Sequence, residues 1–162
     1  MIIKLKKGKD GPSTLACIRS DGSATWAKLH PFFPLHDLTH CSVESVLGFD
    51  EAFFGLVASG WDIDAFAQPG AGARLPDQAK WAENIVGIFD RERASGETWS
   101  ADSFNQMLQA SLVAQKVSGF RKLSDRDLSG VRHLRDALHR QWLQLPVGAS
   151  LEVAFPARWS TE

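Results

Sequence analysis

The stretch IIKLKKGKDGPSTLACIRSDGSATWAKL, residues 2–29, determines the expected fold class. Apolar and polar residues alternate in three short runs, and this two-residue period is typical of β-strands with one buried face. The runs are separated by GKDGP and SDGS. Gly11 with Pro12, and Asp21 with Gly22, favour turns because they fix φ or allow it to be positive. The stretch therefore predicts a three-stranded antiparallel meander.

Helical patterns follow the meander. Their apolar residues recur every three or four positions, and Pro, Ser, Asp and Gly mark their ends. The predicted helices cover residues 34–48, a short segment between Asp50 and Gly60, and residues 76–96, 100–119 and 124–146. The segment WDIDAFAQPGAGARLP, residues 61–76, is predicted as a loop. GASLEVAF, residues 148–155, alternates again and predicts a strand at an edge of the N-terminal sheet.

Together these elements indicate an α+β fold. A small antiparallel sheet of three N-terminal strands and one C-terminal strand is expected to pack against about five helices. The 162 residues suffice for one domain with a buried core, so a single domain over residues 1–162 is expected. The 44% hydrophobic and 23% charged residues fit a globular protein rather than a disordered chain.

The charge of the chain disfavours nucleic acid and membranes as partners. Its formal net charge is −1, which gives no general attraction to polyanions. The segment 116–140 holds seven Lys or Arg and three Asp, but Arg132, Asp136 and Arg140 stand four apart and predict a solvated ion-pair ladder. No run of eighteen apolar residues occurs. Two cysteines without CxxC spacing favour a reducing compartment, so a soluble cytoplasmic protein is expected.

The stretch PLHDLTHCSVESVLGF, residues 34–49, is the part from which a chemical function can be argued. At about 100° per residue, His36, Asp37, His40 and Glu44 share one arc of the predicted helix. The apolar Leu and Val side chains occupy another arc, so the polar stripe is expected to border the buried face. Two histidines four apart can bind one ion, as in zinc proteins with an HExxH helix. His36 and His40 are therefore candidate ligands of a divalent metal such as zinc.

Glu44 and Asp37 each have two alternative roles. Glu44 is a third candidate ligand, but it lies about 12 Å along the helix axis from His36 and about 6 Å from His40, which favours a hydrogen bond that orients His40. Asp37 is a candidate catalytic base on metal-bound water. The alternative, which we prefer from the sequence, is that Asp37 complements the dipole of the first helical turn. Further ligands have to come from other segments, and the nearest in sequence are His30, Asp62 and Asp64.

HDLTHCSVE, followed by GFDEAFFGLVASG, resembles a pattern in small uncharacterised bacterial proteins. In that pattern an HDLxHxxVE helix precedes a Gly-aromatic segment and a small-residue loop, and the resemblance spans Pro34 to Asp64. It carries no established activity and assigns no catalytic role. It implies that the helix and the turn containing Phe54, Gly55 and Gly60 form one unit.

Two functions of different classes remain open. One is an interaction or structural module whose polar stripe contacts a protein partner or a second copy of the chain, and a His–Glu pair four apart is common on solvent-facing helices. The other is a divalent-metal-binding protein, with hydrolysis as one candidate activity, that uses the HDxxHxxxE helix. His133 and His139 lie on different helix faces and are expected at the surface. The sequence indicates no particular small-molecule ligand.

Overall fold

A computed structural model describes residues 1–158, so residues 159–162 of the expected domain lie outside the described part. The fold is α+β, as predicted. Its strands are β1 (Ile2–Lys6), β2 (Ser13–Ile18), β3 (Ala24–Leu29) and β4 (Ser150–Ala154). Its α-helices are α1 (Phe33–Leu47), α2 (Phe53–Ala58), α3 (Ala71–Arg74), α4 (Asp77–Ser95), α5 (Ala101–Ala114) and α6 (Asp125–Gln144).

The four strands form one antiparallel sheet in the order β3-β2-β1-β4. The meander and the edge position of β4 are thus confirmed. Ile3 pairs with Cys17 on one side and Val153 on the other. All three are buried, because residues directly opposite each other on neighbouring strands point to the same face and this face packs against the helices.

The predicted loop over residues 61–76 is wrong. It contains a 3-10 helix, Ile63–Ala67, and the one-turn helix α3. Helices of five and four residues are too short to show a helical repeat of apolar residues. The Gly and Pro residues of this segment therefore led to the prediction of a loop. The last turn predicted for α5 is also absent, because α5 ends at Ala114 and Lys116 has a φ of 57°.

Helix α1 lies at the centre of the helical layer. Its Leu38 and Cys41 join the core that covers the sheet. Its Val43 joins a second core formed mainly by α4, α5 and α6. A helix that contributes to two cores has little free surface left for its polar residues.

Candidate metal centre

The polar stripe of α1 is enclosed by neighbouring helices. His40 is 2% exposed, Glu44 1% and Asp37 6%, so the expectation that the stripe borders the buried face is wrong. The helical wheel describes one helix alone, whereas α2 and α4 pack over this side of α1. His36 and His40 do face the same side, with ring centroids 4.9 Å apart, because a spacing of four residues stacks side chains on a helix.

His36 is held by a carboxylate of the neighbouring helix α4. Its Nδ1 lies 2.7 Å from Oδ2 of Asp90, and both side chains are largely buried. Burial raises the pKa of Asp90, but the hydrogen bond and charge of His36 outweigh that effect and lower it overall. The pair therefore connects α1 to α4.

His40 lies between two carboxylates. Its Nδ1 is 3.3 Å from Oε1 of Glu44, and its Nε2 is 3.3 Å from Oε1 of Glu83 on α4. Burial lowers the pKa of His40, but the charges and hydrogen bonds of Glu83 and Glu44 overcome this and raise it to about 10. In the metal-free protein a proton on this imidazole is thus strongly favoured.

Glu44 connects His40 to the start of α2. Its Oε2 accepts hydrogen bonds from the backbone N–H groups of Phe54 at 2.9 Å and Gly55 at 3.0 Å. A Cβ at position 55 would lie 2.3 Å from backbone atoms of Asp50, so only glycine fits there. Burial raises the pKa of Glu44, opposed by His40 and by these N–H groups. Glu44 holds His40 in place, and both of its carboxylate oxygens have hydrogen-bond partners.

Three side chains can converge on one ion. One ligand atom from each of His36, His40 and Glu83 lies within 4.8 Å of the other two. Glu83 is half-exposed, whereas both histidines lie deeper. Its pKa is raised by burial and lowered by His40, and the lowering is larger. A set of two imidazoles and one carboxylate is the donor set of many catalytic zinc sites.

Asp37 is the fourth carboxylate near the two histidines. It is the fifth residue of α1, so it lies beyond the first turn and the helix-dipole role preferred from the sequence is wrong. Its Oδ2 is buried and has no hydrogen-bond partner among the described residues. Burial raises its pKa to about 7, although the imidazoles of His40 and His36 act to lower it. An unpaired buried carboxylate is costly, and such groups concentrate at functional sites.

The other ligands considered from the sequence lie elsewhere. Asp62 pairs with Arg19 at 3.2 Å, and neither Asp64 nor His30 belongs to a group of potential metal ligands in the described chain. Glu83 and Asp90 were missed. They stand seven residues apart on α4, which places both on one helix face. This spacing is a weak signal because the sequence does not show which face of α4 meets α1.

Two expectations for α6 are wrong. His139 is buried and its Nε2 lies 2.9 Å from the carbonyl oxygen of Leu35, because α6 packs directly against α1. Arg132 does not form a solvated ladder with Asp136. Its Nε instead donates to Oε2 of the buried Glu92 at 3.2 Å, which joins α6 to α4.

Comparisons with known proteins add no family or function. No family model matches the sequence, and neither a curated protein nor a solved structure is significantly similar to it. Within residues 1–158, every helix is too short or too polar to cross a lipid bilayer.

Proposed function

We propose that this protein binds one divalent transition metal ion, of which zinc is the best fit, through His36, His40 and Glu83. The observation that carries the proposal is the position of the two Nδ1 atoms. Each contacts a carboxylate, Asp90 for His36 and Glu44 for His40. Metal-binding histidines characteristically donate the proton of the other ring nitrogen to such a partner, which fixes the tautomer and the ring orientation.

This arrangement prepares both Nε2 atoms for a cation. A neutral imidazole that donates from Nδ1 carries its lone pair on Nε2, which is the atom a metal needs. Nε2 of His40 already faces Oε1 of Glu83. A metal ion between them would replace the proton that the two carboxylates favour on His40, and this competition makes binding pH-dependent.

The charges of the site also favour a cation. Four carboxylates, those of Asp37, Glu44, Glu83 and Asp90, surround two imidazoles. Burying several carboxylates together is unfavourable unless positive charge compensates them. A divalent ion supplies more compensation than the one proton that each imidazole can add.

Hydrolysis is the activity that such a site supports best. A zinc ion held by His36, His40 and Glu83 would keep a position open for water and would make that water more acidic, which is the chemistry of hydrolytic zinc sites. Glu83 is half-exposed, so the ligand set reaches the surface where a substrate can approach. The alternative of a partner-binding stripe is disfavoured, because three of its four residues are buried.

Metal analysis of protein purified without a histidine tag tests the proposal. We expect one zinc per chain by elemental analysis and by calorimetric titration. His36→Ala or His40→Ala should abolish stoichiometric binding, because each removes a ligand. Asp90→Asn and Glu44→Gln should weaken binding roughly 10- to 100-fold, because they remove only the orienting carboxylates.

His133→Ala is the matched control, because His133 is an exposed histidine on α6 outside the ligand group. It should bind zinc like the wild type. Wild-type protein that takes up no zinc, or uptake that survives loss of both His36 and His40, would contradict the proposal.

A further inference from the structure

The surface next to the metal ligands is aromatic. The ring of His36 lies 5.5 Å from that of Phe32 and 5.8 Å from that of Phe33, measured between centroids. On the other side, the ring of His40 lies 5.9 Å from that of Phe53. Phe53 in turn packs against Phe66 at 4.7 Å. Apolar rings thus border both histidines.

Phe32 and Phe33 are adjacent aromatic residues, and both are exposed. Phe32 is 47% and Phe33 43% exposed, although most large apolar side chains of the protein are buried. Exposed adjacent aromatic rings are unfavourable in water and commonly mark a binding surface. Here they sit directly beside a candidate metal ligand.

The backbone that carries the two rings is also restricted. The segment is HPFFP, residues 30–34, in which a proline stands on each side of the pair. The N–H of Phe33 donates to the carbonyl oxygen of His30 at 2.9 Å, which closes a turn. The two prolines restrict the backbone on either side of the rings. A restricted backbone lowers the entropic cost of ordering the two rings against a ligand.

Arg93 connects this surface to the metal ligands. Its guanidinium carbon lies 5.9 Å from the centre of the Phe32 ring. Its Nη2 lies 3.4 Å from Oδ1 of Asp90, the carboxylate whose other oxygen contacts His36. One connected group therefore links the candidate ligand His36, through Asp90 and Arg93, to the ring of Phe32.

Helix α4 leaves room beside this group. Gly87 lies between Glu83 and Asp90 on the same helix, four residues after the first and three before the second. A Cβ at Gly87 would meet no atom within 4 Å. Glycine in the middle of a helix is unfavourable, and tight packing does not explain it here. The absent side chain leaves open space at Gly87, one turn of α4 from each carboxylate.

From this arrangement we infer that the metal centre binds small aromatic compounds that carry an oxygen donor group, with the donor on the ion and the ring against Phe32 and Phe33. The inference rests on the proposed function, since it requires the ion. The inference goes beyond the proposed function because it assigns a class of ligand to the metal centre. Burying one ring face against two phenylalanines removes enough apolar surface for roughly a tenfold gain in affinity.

Two hydroxamates that differ only in the ring provide the test. Benzohydroxamate and acetohydroxamate are titrated into cobalt-loaded protein, and binding is followed by the visible absorption of the ion. We expect benzohydroxamate to bind at least about tenfold more tightly. In Phe32→Ala and Phe33→Ala this preference should fall to about threefold or less, with the cobalt content unchanged. Trp26→Ala, which removes an exposed ring from β3, should retain the full preference.

Failure of the inference is distinguishable from failure of the metal proposal. Equal affinity for the two hydroxamates on cobalt-loaded protein, or a ring preference that survives in the double variant Phe32→Ala/Phe33→Ala, would overturn the ligand class alone. Protein that takes up no cobalt or zinc would overturn both. Cobalt content is measured before and after each titration, so that removal of the ion by the hydroxamate is not mistaken for binding.

Discussion

Among single residues, Asp37 is the one whose environment departs most from what its sequence position indicates. The helix start at Pro34 suggested a carboxylate that stabilises the first turn. The structure instead places it one turn further along, buried and with an unbonded Oδ2 near two imidazoles. A group in this position reduces the stability of the metal-free protein once it ionises.

Replacement of this carboxylate should therefore have a pH-dependent effect on stability. Burial raises the pKa of Asp37 to about 7 from its ordinary value of 3.8, so the folded state binds more protons between these values and loses stability as the pH rises through that range. The unfolding free energy of Asp37→Asn, taken relative to that of the wild type, should therefore increase by about 1 to 3 kcal/mol from pH 5 to pH 8.

Urea unfolding in the presence of a chelator, at both pH values, measures this gain. Asp64→Asn, at an exposed position of the 3-10 helix, is the control and should shift stability equally at both pH values. A difference between Asp37→Asn and wild type that is the same at pH 5 and pH 8 would show that Asp37 is already ionised at pH 5 in the folded protein.

Among the secondary-structure elements, the sequence correctly predicted those whose patterns lie within a single segment of the chain. The meander, β4 and the long helices carry their own periodicity and their own turn or cap residues, such as Ser124 with Asp127 at the start of α6. The four-residue spacing of His36 and His40 likewise placed their two rings side by side on α1, with centroids 4.9 Å apart. Glu83 and Asp90 reach the site only because α4 packs across α1. That packing depends on tertiary contacts, which local patterns do not encode.

The same limit explains the wrong expectation for His139. On α6 alone it is a polar residue beside a charged stripe. In the fold it contacts α1, where its Nε2–H donates to the carbonyl oxygen of Leu35. Burial lowers the pKa of His139 to about 4, and nearby Arg135 and Arg93 act in the same direction, against the hydrogen bond to Leu35. Burial at the contact between α1 and α6 thus favours the neutral imidazole.

Acidification should loosen this contact. Because the unfolded chain takes up the proton near pH 6.5 and the folded chain only near pH 4, stability should fall as the pH drops from 6.5 to 4, by at most roughly 3 kcal/mol. His139→Gln keeps a donor but no titrating group, so it should remove this part of the pH dependence. The measurement is denaturant unfolding of zinc-free protein across that range.

His133→Gln serves as the control, because His133 is exposed on the same helix. It should leave the pH dependence unchanged. If His139→Gln and the wild type lose stability in parallel below pH 6.5, a different group is responsible.

In the whole molecule, α1 lies between two cores and contributes side chains to both. One core covers the sheet, and the other lies among α4, α5 and α6. The candidate ligands bridge the same helices, with His36 and His40 on α1 and Glu83 on α4. An ion at this place would link the helix that covers the sheet to the helical core. Metal binding should therefore stabilise the entire fold rather than one loop.

Thermal unfolding with and without zinc tests this global effect. A ligand that binds only the folded state at 100 times its Kd adds about 2.7 kcal/mol, and for a chain of 162 residues this corresponds to a rise in Tm of roughly 5 to 10 °C. His133→Ala should show the same rise, whereas His36→Ala/His40→Ala should show none. A single transition that moves as a unit in far-ultraviolet circular dichroism and in tryptophan fluorescence is expected, because the bridged helices belong to both cores. A zinc-dependent rise that persists in the double variant would place the stabilising ion elsewhere in the protein.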